Sequence, residues 1–221
     1  MQLNNIRLPF DVDIQCRSGA CWLRGARRSI SLRAGESVRV RAFRCFDMET
    51  LSPGRVMGSD VVHLAIAATG ETEGVGFSHR PSTAWTDEVA RPLTLQISKA
   101  VFATPDAPWS RAYAAAMLDL SPRELSARML KEGGALTDLI CEQRLMRVFF
   151  ELSHARGKRA KHGFASRERR DTAFFDRFGV CVEQLAMIGH TGRVSWSGPP
   201  SGVNAFRLIA RETKSVSCLA P

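Results

Sequence analysis

No apolar run in this 221-residue chain approaches the ~20 residues a membrane-spanning helix needs. The opening stretch MQLNNIRLPFDVD lacks the apolar segment of a secretion signal. These absences predict a soluble, cytoplasmic protein with no membrane partner. Metal-ligand spacing is missing as well. The six cysteines stand at 16, 21, 45, 141, 181 and 218; only Cys16 and Cys21 are close, and no histidine lies near them. They read as reduced, mostly buried thiols, with no metal and no cofactor implied. Enzyme signatures are lacking too. "ATGETEGVG" has glycines but no G-K-[ST] ending to cradle a phosphate, and there is no H-E-x-x-H, G-x-S-x-G or paired C-x-x-C. His63 falls inside an apolar, strand-like run, where a core or edge histidine is the plain reading. The chain is therefore expected not to be an enzyme.

Acidic residues are also in deficit: 22 against 31 Lys and Arg, a net charge of +9 and a pI of about 9.9. Such a balance favours polyanions, because Lys and Arg displace counterions condensed on phosphates. The excess is uneven, +3 over residues 1–100 and +6 over residues 101–221. Within residues 156–170, "RGKRAKHGFASRERR", seven of fifteen residues are basic and only Glu168 is acidic. Aromatic and glycine residues punctuate that run, which argues for a folded basic surface rather than a tail. With 44% hydrophobic and 24% charged residues, the chain has enough apolar surface for a packed core.

Two hydrophobic periods divide the sequence. In "SISLRAGESVRVRAF", Ile30, Leu32, Val38, Val40 and Ala42 alternate with Ser and Arg, the period of half-buried strands, and Ala-Gly-Glu forms a turn between the runs. "DVVHLAIAATG" is a continuous apolar run of the kind a buried strand requires. Turn clusters at Ser52-Pro53-Gly54, Gly70 and Gly74/Gly76 space these runs like a small sandwich or barrel, and residues 78–92 read as a linker. From Leu93 the period is helical: Leu93, Ile97, Ala100 and Val101 form one stripe that stops near Pro105. A second helix starts around Pro108-Trp109 and is expected to carry Tyr113, Ala116 and Met117 inward.

The stretch "LDLSPRELSARMLKEGG" follows. Ser121 is suited to an N-cap, Pro122 to the first helical position, and Glu124 completes an S-x-x-E capping box. Leu125 and Met129 supply the buried stripe, and Gly133-Gly134 ends the helix. Arg123, Ser126, Ala127 and Lys131 then point outward. A longer helix over Leu136–Leu152 would run roughly 25 Å, a useful spacer between modules addressing duplex turns ~34 Å apart. Two helices joined by a tight turn, the second capped and presenting short or basic residues, make a helix-turn-helix.

The wider string "AYAAAMLDLSPRELSARMLKEGGALTDLICEQRLMRVFFEL" resembles the AraC/XylS family of transcription regulators. Leu120-Ser121-Pro122-Arg123, Leu125, Arg128, Gly133/Gly134 and Arg144 stand where that family's pattern expects them. Its second half also has a counterpart: Gly163-Phe164-Ala165-Ser166, then Phe174 and Phe178-Gly179. The resemblance spans roughly residues 93–188. Three positions depart from it: Arg170 replaces a large apolar residue, "KRAKHGF" is more basic than the usual helix, and Val182 replaces a proline.

The resemblance implies an α+β chain, a β-rich N-terminal domain followed by an all-α C-terminal domain with two helix-turn-helix modules. Residues 1–90 would regulate or oligomerise, 91–190 would bind DNA, and 191–221 form an extension without assigned role. The implied partners are double-stranded promoter DNA and RNA polymerase, with a small-molecule or protein effector at the N-terminal domain, and a homodimer contact. In the first reading helix, Arg123 and Ser126 are base-edge candidates, Ala127 offers only an apolar contact and Arg128 completes the DNA-facing set. In the second helix the candidates are Arg167, Glu168, Arg169 and Thr172. Lys158, Arg159 and Lys161 suit phosphates. Phe164, Phe174, Phe175 and Phe178 read as core, and His154 and His162 as surface residues. The implied function is a sequence-specific transcription regulator, an activator. The alternative is an AraC-like fold kept for protein interaction or non-specific DNA binding, with an eroded second module.

Overall fold

The computed structural model describes residues 2–26, 28–51, 62–66, 92–152, 162–190 and 194–197. Seven strands precede the helices: β1 (Gln2–Ile6), β2 (Val12–Cys16), β3 (Ala20–Gly25), β4 (Ser29–Arg33), β5 (Ser37–Val40), β6 (Phe46–Leu51) and β7 (Val62–Ile66). Six helices follow: α1 (Pro92–Ala103), α2 (Arg111–Met117), α3 (Pro122–Lys131), α4 (Leu136–Leu152), α5 (Arg167–Phe178) and α6 (Val182–His190). A last strand, β8 (Val194–Ser197), closes the described chain. This is the expected α+β order, β-rich first and helical afterwards.

The strands form two four-stranded sheets, in the orders β1-β6-β3-β4 and β5-β2-β7-β8. The alternating "SISLRAGESVRV" does give two strands, but they belong to different sheets. β4 pairs with β3 and β5 with β2, so the Gly35 turn is a corner between layers. Gly35 has φ +88, a left-handed conformation that favours glycine. Leu32, Val38 and Val40 are buried as the alternation requires. β7 lies between β2 and β8, consistent with its continuous apolar run. β8, drawn from the extension assigned no role, pairs parallel with β7 from Val62↔Val194 to Ala65↔Ser197. The turn clusters at 52–54, 70 and 74–76, the linker up to residue 91, His154, Cys218 and the element expected near 205–210 lie outside the described residues.

Two apolar clusters hold these elements. One joins Leu93, Ile97, Val101, Trp109, Ala114, Ala115, Leu125 and Met129 of the first three helices and their connections to Leu139 and Ile140 of α4. The other is shared between strands and helices: Leu3, Ile6, Ile14, Leu23 and Met48 pack in one core with Leu145, Phe149, Phe174, Phe178 and Leu185. The ring centroids of Phe174 and Phe178 are 4.6 Å apart. α5 packs directly on β1, where the Asn5 side-chain amide donates to the Arg177 carbonyl at 3.1 Å and Arg177 Nη2 donates to the Asn5 carbonyl at 3.1 Å.

Four expectations need correction. Ala116 is exposed; Ala114 and Ala115 are the buried alanines, because the seven-residue α2 is turned by about one residue relative to the expected face. Phe175 is 54% exposed, since α5 buries positions 170, 174 and 178 and residue 175 falls outside that stripe. His162 is buried, with its Nε2 2.7 Å from Glu151 Oε2. Cys45 is exposed, whereas Cys16 and Cys21 are buried and burial pushes the Cys21 thiol up to about 12.

Candidate nucleic-acid interface

α2 and α3 are joined by a tight turn at 118–121. Asp119 takes φ +52 there, and the Leu120 N–H returns to the Ala115 carbonyl at 3.0 Å. The reciprocal capping box is present. The Ser121 hydroxyl accepts from the Glu124 N–H at 3.2 Å, and Glu124 Oε2 accepts from the Ser121 N–H at 2.9 Å. The Ser121 backbone and hydroxyl bonds hold the Glu124 carboxyl below its usual range. Glu124 is thus committed to the cap. At the other end, Gly133 at φ +68 closes a Schellman motif: Gly133 N–H bonds the Leu130 carbonyl and Gly134 N–H the Met129 carbonyl.

The buried side of α3 is held by Leu125 and Met129. Its C-cap residue, Glu132, reaches back to the start of α1. Its carboxylate accepts from the Leu93 and Thr94 N–H groups at 3.2 and 2.8 Å and from the Thr94 hydroxyl at 2.5 Å. A carboxylate there satisfies orphan donors and suits the positive end of the helix. With α3 fixed at both ends, Arg123, Ser126, Ala127, Arg128 and Lys131 all stand exposed. The exposed Ser126 hydroxyl donates to its own helix, at the Pro122 carbonyl, 2.9 Å away.

α5 is built the same way. Ser166 caps it, its hydroxyl accepting from the Arg169 N–H at 3.2 Å, and Gly179 ends it at φ +73. Counted from its capping serine, each helix buries the residues at +4 and +8: Leu125 and Met129 in α3, Arg170 and Phe174 in α5. Arg170 thus fills the position where an apolar residue was expected. Its side chain is 4% exposed and Nη2 lies 2.7 Å from Asp171 Oδ1, so its charge is matched by the neighbouring carboxylate. Arg167, Glu168, Arg169 and Thr172 are exposed. Lys158, Arg159 and Lys161, and any helix that would precede α5 in a second module, fall outside the described residues.

α4 and the turn before α5 both bond to the loop between α1 and α2. Arg144 of α4 donates to the Pro105 and Ala107 carbonyls at 2.9 and 3.2 Å, and the Gly163 N–H donates to Asp106 Oδ1 at 2.7 Å. The loop between α1 and α2 is therefore clasped from both sides. A crevice of about 670 Å³ opens beside this clasp, between Trp109, Ser126, Leu130, Leu136 and Phe164. Sequence reasoning found Arg144, Gly163 and Phe164 by family position. It missed Glu132 and Asp106, whose partners are distant in sequence, and two exposed apolar residues, Leu130 (78%) and Phe175 (54%). The last two could have been found by aligning the helices on their capping serines.

No protein-family model and no characterised protein sequence matches the chain. In three dimensions it is similar to an apo ToxT variant from Vibrio cholerae strain SCE256, with TM-score 0.54 and 13% identity over 84% of this chain and 92% of that one. It is similar also to wild-type ToxT from the same strain bound to an unsaturated fatty acid, with TM-score 0.52 and 14% identity over 85% and 91%. ToxT from Vibrio cholerae O395 gives 0.53 and 14% over 85% and 93%. At these identities the likeness is one of fold, a β-rich region followed by helices.

Proposed function

We propose that this chain is a DNA-binding transcription regulator of AraC type. α3 and α5 would be the reading helices and α4 the spacer that sets them on successive major grooves. The observation that carries the reading is the matched construction of α3 and α5. Each has a serine cap, the same buried +4 and +8 positions, and an exposed N-terminal turn bearing arginine, on a chain of net charge +9. A recognition helix needs a free N-terminal end and a buried opposite face, and both helices have them. ToxT, an AraC-family regulator, shares the fold, which adds support.

On this reading Arg123 and Ser126 of α3, and Arg167, Glu168, Arg169 and Thr172 of α5, meet base edges. Arg128, Lys158, Arg159 and Lys161 meet phosphates, and Ala127 makes an apolar contact. Residues 91–190 form the DNA-binding unit and residues 1–90 the regulatory or oligomerising one. Activation proceeds by contact with RNA polymerase bound nearby. Because the strands share a core with α5, an effector of the β-rich part, small molecule or protein, has a direct mechanical route to the second reading helix. The alternative, a protein-interaction or non-specific module, is motivated by Arg170 and by the eroded helix before Gly163-Phe164, which lies outside the described residues. Burial and pairing remove Arg170 from the outward face of α5, so it does not obstruct that face.

The test is selection of the full chain on random-sequence DNA duplexes, followed by salt titration of the enriched site. A specific complex retained above about 150 mM salt supports the reading; salt-labile binding indifferent to sequence refutes it. Arg123→Ala is expected to change the preferred base, and Lys158→Ala to weaken all sites alike.

A further inference from the structure

Among the described residues, three large apolar side chains are exposed: Trp22 on β3, Leu130 on α3 and Phe175 on α5. A single exposed leucine or phenylalanine is ordinary and needs no explanation. The position of these two is what carries weight. Leu130 stands nine residues after the capping Ser121, and Phe175 nine residues after the capping Ser166. With +4 and +8 buried in both helices, +9 falls on the exposed side. In α3 it is in line with Arg123 at +2 and Ala127 at +6, and in α5 with Glu168 at +2 and Thr172 at +6.

Leu130 shares its line with Arg123 and adjoins Lys131, at the edge of the crevice that Trp109, Leu136 and Phe164 also line. Phe175 has Asp171 and Thr172 one turn before it and Asp176 beside it, with Arg167 and Arg169 in the first turn of the same helix. An exposed apolar residue on the outward line of a recognition helix fits a surface that offers a small apolar group at its floor. The major groove does this at thymine, whose 5-methyl group is its apolar mark.

We propose that Leu130 and Phe175 are paired specificity residues, each packing on a thymine methyl at the equivalent position of its half-site. The inference rests on the reading of α3 and α5 as recognition helices and adds the base that each reads. Along a helix, +2 and +9 are about 10.5 Å apart, or about three base pairs at 3.4 Å. The thymine contacted by Leu130 therefore lies about three pairs from the base specified by Arg123. The two thymines recur about one helical turn apart.

The experiment uses the full chain and the duplex enriched from the random library, with each thymine replaced singly by deoxyuridine, which removes only the methyl. One thymine in each half-site should weaken wild-type binding by about 3- to 5-fold, the effect of one methyl group leaving contact. Leu130→Ala should abolish the penalty in the first half-site and leave that in the second; Phe175→Ala should do the reverse. Both side chains are exposed, so neither variant should shift the unfolding midpoint. The proposal is overturned if no thymine is methyl-sensitive, or if the sensitive ones keep their penalty in the variants. It is also overturned if the variants bind DNA as wild type but lose transcriptional activation, which would assign the pair to a protein partner. If selection enriches no sequence at all, the recognition-helix reading itself fails, a distinguishable result.

Discussion

Gly163→Ala tests the clasp on the loop between α1 and α2. Gly163 has φ +73, and a Cβ there would stand 2.5 Å from the Pro105 carbonyl oxygen and against the Arg144 guanidinium. Neither neighbour can retreat cheaply. The first is backbone, and the second is held by its bonds to the Pro105 and Ala107 carbonyls at 2.9 and 3.2 Å. Hydrogen bonds from a charged group contribute about 1.5–3 kcal/mol each, and a non-glycine residue in the left-handed region costs about 1–2 kcal/mol. Losing the clasp should therefore cost about 4–8 kcal/mol, a large share of the ~5–15 kcal/mol typical of a folded domain. Urea unfolding followed by circular dichroism measures it. Gly133→Ala is the matched control, because Gly133 has φ +68 and a Cβ there would meet nothing within 4 Å. It should lose only about 1–2 kcal/mol, the backbone part. If the two variants unfold within about 1 kcal/mol of each other, Arg144 and Pro105 do not confine this glycine and the reasoning is wrong.

Other consequences follow from single contacts. Glu132→Ala removes the acceptor for two backbone N–H groups and the Thr94 hydroxyl at the start of α1, and should lower stability by about 2–3 kcal/mol, read from the urea midpoint. Two carboxylates should shape the pH dependence of that midpoint in opposite senses. Burial raises the Glu151 carboxyl, but the hydrogen bonds from His162 and Arg147 outweigh it and leave the group below its ordinary 4.5. Its contribution is complete above pH 4.5 and is lost as pH falls through the lower, folded value, so Glu151→Gln should flatten the profile on the acid side. For Glu142, burial dominates over Arg177 and Arg7, at 3.4 and 3.2 Å, and raises the carboxyl. That contribution is present below 4.5 and is lost as pH rises through the folded value, so Glu142→Gln should flatten the profile above 4.5. A profile that changes on the same side in both variants would contradict these assignments.

The caps were legible because they are local. A serine, a proline and a glutamate within four residues define where α3 begins whatever surrounds it, and a double glycine defines where it ends. The α1 stripe and the span of α4 were legible for the same reason, a period repeated over several turns. Short or shared segments were not. α2 has seven residues, too few for its alanines to declare which of them face inward, and the exposure of Ala116 shows the resulting error of one position. β1, β2, β3 and β6 were not singled out, since five or six residues carry little periodic signal and their pairing depends on strands far along the chain.

Arg170 and His162 mark the boundary between the two kinds of information. As residue types in a basic run they read as surface, yet both are buried, because Asp171 and Glu151 supply the partners that make burial of polar groups tolerable. The sequence alone determined the order of strand and helix, the caps and the basic character of the second half, all of which depend on neighbours a few residues apart. The tertiary structure decided which charges are hidden and why Gly163 and Arg144 belong together. It also decided that a β-strand from the chain's start should brace the helix that carries Phe175. Those outcomes depend on how whole elements pack against one another, through contacts such as Arg144–Pro105 and Asn5–Arg177 that span 39 and 172 positions and that no local pattern encodes.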